Sequence, residues 1–205
     1  MYFTVEDTFQ FMKFLPDGNL LEFGVYTGNC LNRLIKAAES ANKPFINVYG
    51  FDSFIGLPEE TPGVLHNPEW SLGTFSACKE FGVSCVEEAK NHVRQKVERK
   101  DIALIDGFFK DSLTEKWGKR LKNSVSYAHI DVDLYSSTVE VLDFIFTHQI
   151  LKPGSIFRYD DWIWSNYALR EYEAGNSLAH IEMVQKYKPV IGRLGMNVFQ
   201  LMSYS

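Results

Sequence analysis

Apolar positions along this chain follow two rhythms. Short unbroken runs close on glycine or an acid, and longer stretches repeat every three or four residues. Asn19 to Phe23, Phe45 to Phe51, Asp101 to Ile105, Val125 to Val132 and Ser155 to Tyr159 have the first rhythm, which marks buried strands. Residues 29–41, 86–97, 111–121, 136–146 and 167–186 have the second, which marks amphipathic helices. A short helix over 4–15 precedes them, started by the capping pair Thr4-x-x-Asp7. Ser136 or Ser137 caps the 136–146 helix, and Pro153-Gly154 makes a turn before the strand at 155. Val190 to Arg193 and Asn197 to Met202 flank Gly195 as a closing antiparallel pair.

Strands alternating with helices predict an α/β fold: a doubly wound, mostly parallel Rossmann-like sheet closed by an antiparallel hairpin. Residues 1–205 read as a single domain, with 1–18 as an N-terminal helical lead-in. Residues 55–83 form a Pro-, Gly- and aromatic-rich stretch without period, longer than a compact domain carries without a job. His66, Trp70 and Phe75 in it are candidates for a lid or an acceptor wall.

Composition narrows the class. With 45% hydrophobic residues the chain is globular, and a net charge of −5 with no basic run argues against nucleic acid as a partner. No run of 18 apolar residues occurs, and no secretory pattern is read at residues 1–7, so no membrane partner is expected. Cys30, Cys78 and Cys85 are an odd set without a CxxC pair, which predicts a reducing, cytoplasmic setting without zinc. A homo-oligomer is left open.

The chemistry lies where the strands end. Glu22-Phe23-Gly24, Phe51-Asp52-Ser53, Ile105-Asp106-Gly107, Ile130-Asp131-Val132-Asp133 and Tyr159-Asp160-Asp161 each bring carboxylates to the edge where such sheets bind ligands. Crowded carboxylates call for a cation, metallic or organic. Gly24 and Gly28 let a ligand approach the backbone, and Asp52 stands where a ribose-binding acid is expected. The pattern is not GxGxxG, and Glu22 would repel a pyrophosphate, whereas it suits the ammonium and sulfonium charges of S-adenosylmethionine. Asp131, Asp133, Asp160 and Asp161 supply the hard oxygen ligands that Mg²⁺ or Mn²⁺ prefers. His129 reads as a satisfied core histidine, and Lys110 and Arg158 as ordinary surface or rim charges.

The blocks Leu-Glu-Phe-Gly-Val-Tyr-Thr-Gly (21–28), Phe-Asp-Ser-Phe-Ile-Gly-Leu-Pro (51–58), His-Ile-Asp-Val-Asp-Leu-Tyr-Ser-Ser-Thr (129–138) and Leu-Lys-Pro-Gly-Ser-Ile…Asp-Asp-Trp (151–162) resemble the macrocin O-methyltransferase (TylF-type) family. That resemblance implies a class I, S-adenosylmethionine- and divalent-metal-dependent enzyme. Its acceptor would be a small-molecule hydroxyl, often that of a sugar on a natural product. It implies cofactor contacts at Glu22, Gly24, Gly28, Asp52, Ser53 and Asp131, with adenine near Asp106, Gly107 and Phe108. It implies metal ligation by Asp131, Asp160 and Asp161, with Asp133 as general base. Trp162 stands where relatives usually carry a tyrosine. The competing readings are a nicotinamide-dependent oxidoreductase and a cofactor-binding protein without catalysis.

Overall fold

The computed structural model describes residues 3–97, 99, 101–162 and 174–205. Its strands are β1 (Asn19–Phe23), β2 (Val48–Asp52), β3 (Ile102–Asp106), β4 (Val125–Ile130), β5 (Leu151–Tyr159), β6 (Val190–Arg193) and β7 (Val198–Ser203). They form one sheet in the order β3-β2-β1-β4-β5-β7-β6. The first five run parallel, and β7 lies antiparallel to both β5 and β6. The expected doubly wound sheet with its closing hairpin is therefore present.

Strand alternation divides the core in two. Leu20 faces one apolar layer, while Leu21 and Phe23 face the other. The first layer is covered by α1 (Asn29–Ser40) and α3 (Val86–Val97), the second by α6 (Tyr135–Thr147) and α7 (Gly175–Tyr187). The α1 helix buries Leu31, Leu34, Ile35 and Ala38, the positions its spacing marked. The strand order reverses between β1 and β4, and a crevice opens there beyond their carboxyl ends. Among the described residues no helix is long and apolar enough to cross a membrane.

Several local expectations need correction. The N-terminal lead-in is a 3₁₀ helix, Glu6–Phe14, not an α-helix. Its capping pair does form, with Thr4 and Asp7 bonding reciprocally. The 111–121 segment splits into α4 (Phe109–Ser112) and α5 (Glu115–Leu121). The 55–83 stretch contains a short helix, α2 (Ala77–Phe81). Pro153-Gly154 lies inside β5: the pairing slips from Val125↔Leu151 to Tyr127↔Ile156, and the extra residues bulge out. A proline without an N–H is tolerated at such an irregularity. The first half of the 167–186 helix lies outside the described residues, and α7 supplies the rest.

The start of α6 is unexpected. Its N-cap is Leu134, and no side chain of the helix caps it. The amides of Tyr135 and Ser136 instead donate to the carboxylate of Glu60, at 2.7 and 3.1 Å. The long 55–83 segment is thereby pinned to the sheet edge. Trp70 secures it further, packing at 8% exposure with Leu134 and Ala174.

Candidate active site

The crevice is a cavity of about 310 Å³. One wall is the β1 turn at Gly24 and Tyr26 with Asp52 and Ser53. Gly107 and Phe108 close one end. Asp131, Asp133, Asp160 and Asp161 line it beside that turn, with Leu57, Trp70 and Phe75. The structure thus brings together nine of the residues expected at the site. Glu22, Gly28 and Asp106 do not line it.

Each of those three has a physical reason. Asp106 turns aside to Lys90 at 2.6 Å, and that ammonium holds its carboxyl below the usual range. Gly28 sits at φ +79° as N-cap of α1, and a Cβ there would lie 2.8 Å from Val93 of α3. Its glycine serves helix packing. Glu22 is 0% exposed, under the cavity floor, with Cys30 and His129 beside it. Neither carboxylate oxygen has a hydrogen-bond partner. Burial, then Asp131, pushes its pKa well up.

Gly24 serves the site directly. Its φ is +83°, and a Cβ would fall 1.6 Å from the carbonyl oxygen of Asp131. Only glycine lets the β1 turn lie against the end of β4. Asp52 holds the same turn: Oδ2 accepts from Val25 and Tyr26 amides at 2.7 and 2.8 Å, and Oδ1 from the Phe54 amide at 2.5 Å. Burial raises its pKa while these three donors pull it back. Ser53 shapes the next bend, donating to the Gly56 carbonyl at 2.7 Å and accepting from the Ile55 amide.

The acidic wall carries a cation that sequence reading misplaced. Arg158 is not a rim charge; it is 2% exposed on β5. Its Nη1 donates to Oδ1 of Asp160 at 2.7 Å and faces Nδ1 of His129 at 3.3 Å. The spacing could have revealed the first contact, because residues 158 and 160 of a strand share a face. His129 is not the satisfied core histidine expected. A guanidinium only donates, so Nδ1 accepts and Nε2 carries the proton. Nε2 lies 3.7 Å from Oδ2 of Asp131 and lacks a hydrogen bond. Burial, then Arg158, lowers the His129 pKa to about 3, so the ring is neutral.

The remaining acids crowd one another. Asp131 is pushed up to about 8, by burial and then by Asp160. Asp133 and Asp161 are also raised, by burial first; each is next pushed by a neighbouring carboxylate, Asp161 for Asp133 and Asp131 for Asp161. Oδ2 of Asp161 is buried without a partner. Oxygens of Asp131 and Asp160 lie within 4.8 Å of each other and of a His129 ring nitrogen. With His129 held by Arg158, the carboxylate oxygens are the donors left, and hard oxygens suit a small divalent cation.

Known proteins were then compared. The family model of macrocin O-methyltransferase (TylF) matches residues 13–185. No curated protein matches in sequence. Among solved structures, the O-methyltransferase NovP superposes with a TM-score of 0.66 at 19% identity, covering 97% of this chain and 79% of that one. The calicheamicin methyltransferase CalS11 gives 0.66 at 18%, covering 96% and 76%. An apo structure of CalS11, described as a TDP-rhamnose 3′-O-methyltransferase, gives 0.56 at 19%, covering 96% and 77%. These likenesses establish the fold, and the family match sets aside the nicotinamide and non-catalytic readings. The chain belongs to the macrocin O-methyltransferase (TylF) family and is an S-adenosylmethionine-dependent O-methyltransferase.

Proposed function

We propose that the enzyme methylates a hydroxyl of a sugar, free as a nucleotide sugar or attached to a natural product, with the help of a divalent cation. The observation that carries this is that Asp131, Asp133, Asp160 and Asp161 line one cavity together with the Gly24–Asp52 turn. The activity of CalS11, a TDP-rhamnose 3′-O-methyltransferase, supports the sugar-linked class.

Gly24, Asp52, Ser53, Gly107 and Phe108 bind S-adenosylmethionine, which supplies an electrophilic methyl on sulfonium. Glu22, buried and outside the cavity lining, makes no direct contact. Asp131 with Asp160 and Asp161 hold Mg²⁺ or Mn²⁺, which when bound makes the acceptor hydroxyl more acidic and lets the carboxylates stay ionised. Asp133 accepts the hydroxyl proton on its carboxylate. Burial and the neighbouring Asp161 raise its proton affinity, which favours proton uptake. Leu57, Trp70 and Phe75 exclude water and seat the acceptor, with the 55–83 segment as its cover. The Arg158 guanidinium fixes Asp160 through Oδ1, leaving its other oxygen for the cation.

The test is methyl transfer from labelled S-adenosylmethionine to TDP-linked 6-deoxyhexoses and to glycosylated aromatic aglycones, with and without chelator. Transfer that stops with chelator and returns with Mg²⁺ or Mn²⁺ supports the reading. Full turnover in excess chelator removes the metal, and no transfer to any sugar hydroxyl, alongside transfer to another acceptor class, removes the sugar.

A further inference from the structure

Asp133 occupies a backbone conformation that side chains seldom adopt. Its φ is +57°, and the Leu134 amide folds back onto the Val132 carbonyl at 2.5 Å. A bond from i to i+2 around a positive-φ residue is the strained kind of γ-turn. Such strain persists only where neighbours over-determine it. One neighbour is Asn176 of α7, whose Nδ2 donates to the Asp133 carbonyl at 3.4 Å and to Thr138 Oγ1 at 2.8 Å.

The other is Glu60. Its carboxylate takes the amides of Tyr135 and Ser136, the first two residues of α6, and Oε1 also accepts from the Thr61 amide at 2.7 Å. Those helix amides have no partner within the helix, and a negative charge at that end is favourable. Glu60 is 8% exposed and lies 75 residues from Tyr135 in sequence. It is not part of the acidic wall and does not line the cavity.

We propose that Glu60 is a positioning residue. It ties the 55–76 rim to the first turn of α6 and so holds the strained turn that aims Asp133 into the cavity. Its kinetic consequence rests on Asp133 being the proton acceptor; its structural consequence does not.

The experiment uses Glu60→Gln and Glu60→Ala in the full chain, with S-adenosylmethionine calorimetry and thermal melting as controls for folding. Gln keeps the size and loses the second anionic acceptor. Backbone exchange read by NMR at Leu134, Tyr135 and Ser136 is expected to speed up about tenfold in Gln and about a hundredfold in Ala. S-adenosylmethionine affinity is expected to stay within about threefold. With a TDP-linked 6-deoxyhexose as acceptor probe, kcat falls by about tenfold or more while KM holds, graded Gln before Ala. Wild-type protection of Leu134 in both variants overturns the proposal. So does lost protection with unchanged kcat, which would make Glu60 a helix cap with no bearing on Asp133. Should Asp133→Asn itself keep full turnover, the role of Asp133 fails, and the exchange at Leu134 still reports separately on the clamp. If Ala does not fold, Gln carries the test.

Discussion

Arg158 and Asp160 form an ion pair of unequal partners: the guanidinium side chain is 2% exposed and the carboxylate side chain 44%. Losing either is therefore not equivalent. Without Arg158, Asp160 can rehydrate; without Asp160, a buried guanidinium loses the carboxylate that its Nη1 bonds at 2.7 Å. Arg158→Met is expected to cost about 1.5–3 kcal/mol, the range for charge-assisted hydrogen bonds, and Asp160→Ala at least as much. Urea unfolding in chelator measures both. Equal tolerance of the two changes would mean that the pair contributes nothing to the fold.

The raised acids make stability depend on pH. Asp131 has a folded pKa of about 8 against an unfolded value near 3.8, so the folded state binds the extra proton between them. Its contribution is complete below about pH 4 and is lost as pH rises through about 8. A third of its side chain is open to solvent, which softens the effect. Cation-free protein should therefore melt at lower temperature at pH 8 than at pH 5.5. Asp131→Asn should flatten that slope, and Mg²⁺ should offset it in the wild type. A melting temperature that rises over this interval would contradict the raised pKa.

Asp133→Asn is expected to lower kcat by about a hundredfold or more, the contribution of a positioned base. S-adenosylmethionine affinity, assigned in the proposed reading to the Gly24–Asp52 turn, should stay unchanged. Parallel loss of turnover and cofactor binding in titrations of this variant would place Asp133 with the cofactor instead.

Asp52 carries two duties, and a substitution separates them. Asp52→Ala strands the amides of Val25, Tyr26 and Phe54, and should cost about 1–3 kcal/mol of stability per unpaired buried amide at most. S-adenosylmethionine binding should weaken by about 1.5–3 kcal/mol when a ribose hydroxyl loses its charged acceptor. Calorimetry on the folded fraction reads the second effect. Undiminished affinity there would leave Asp52 with the turn alone.

The layout of the sheet is legible because it depends on local rhythm: α3 runs over Val86–Val97 as its spacing indicates, and the apolar runs alone put the acids at strand ends. What those acids do was less legible, because it depends on partners far away in sequence. Nothing near Asp106 announces that Lys90 will claim it. Glu60 reads as one half of a loop Glu59-Glu60 pair until the start of α6 comes within 2.7 Å. Arg158 is the exception: two residues before Asp160 on a strand, it had a local signal, and only the habit of placing arginine outside hid it.

The contact between Gly24 and Asp131 also sets a length scale. In the proposed reading the β1 turn cradles the methyl donor, and the end of β4 faces the acceptor. The two strands are tied where the Asp131 amide meets the Phe23 carbonyl at 2.9 Å. A hydrogen in place of a side chain at position 24 is thus a spacer of zero thickness between donor and acceptor. Any atom added there works as a shim, widening the gap that a methyl group must cross in a single in-line displacement. For such a reaction the seam between two strands acts as a ruler, and its zero mark is a missing Cβ.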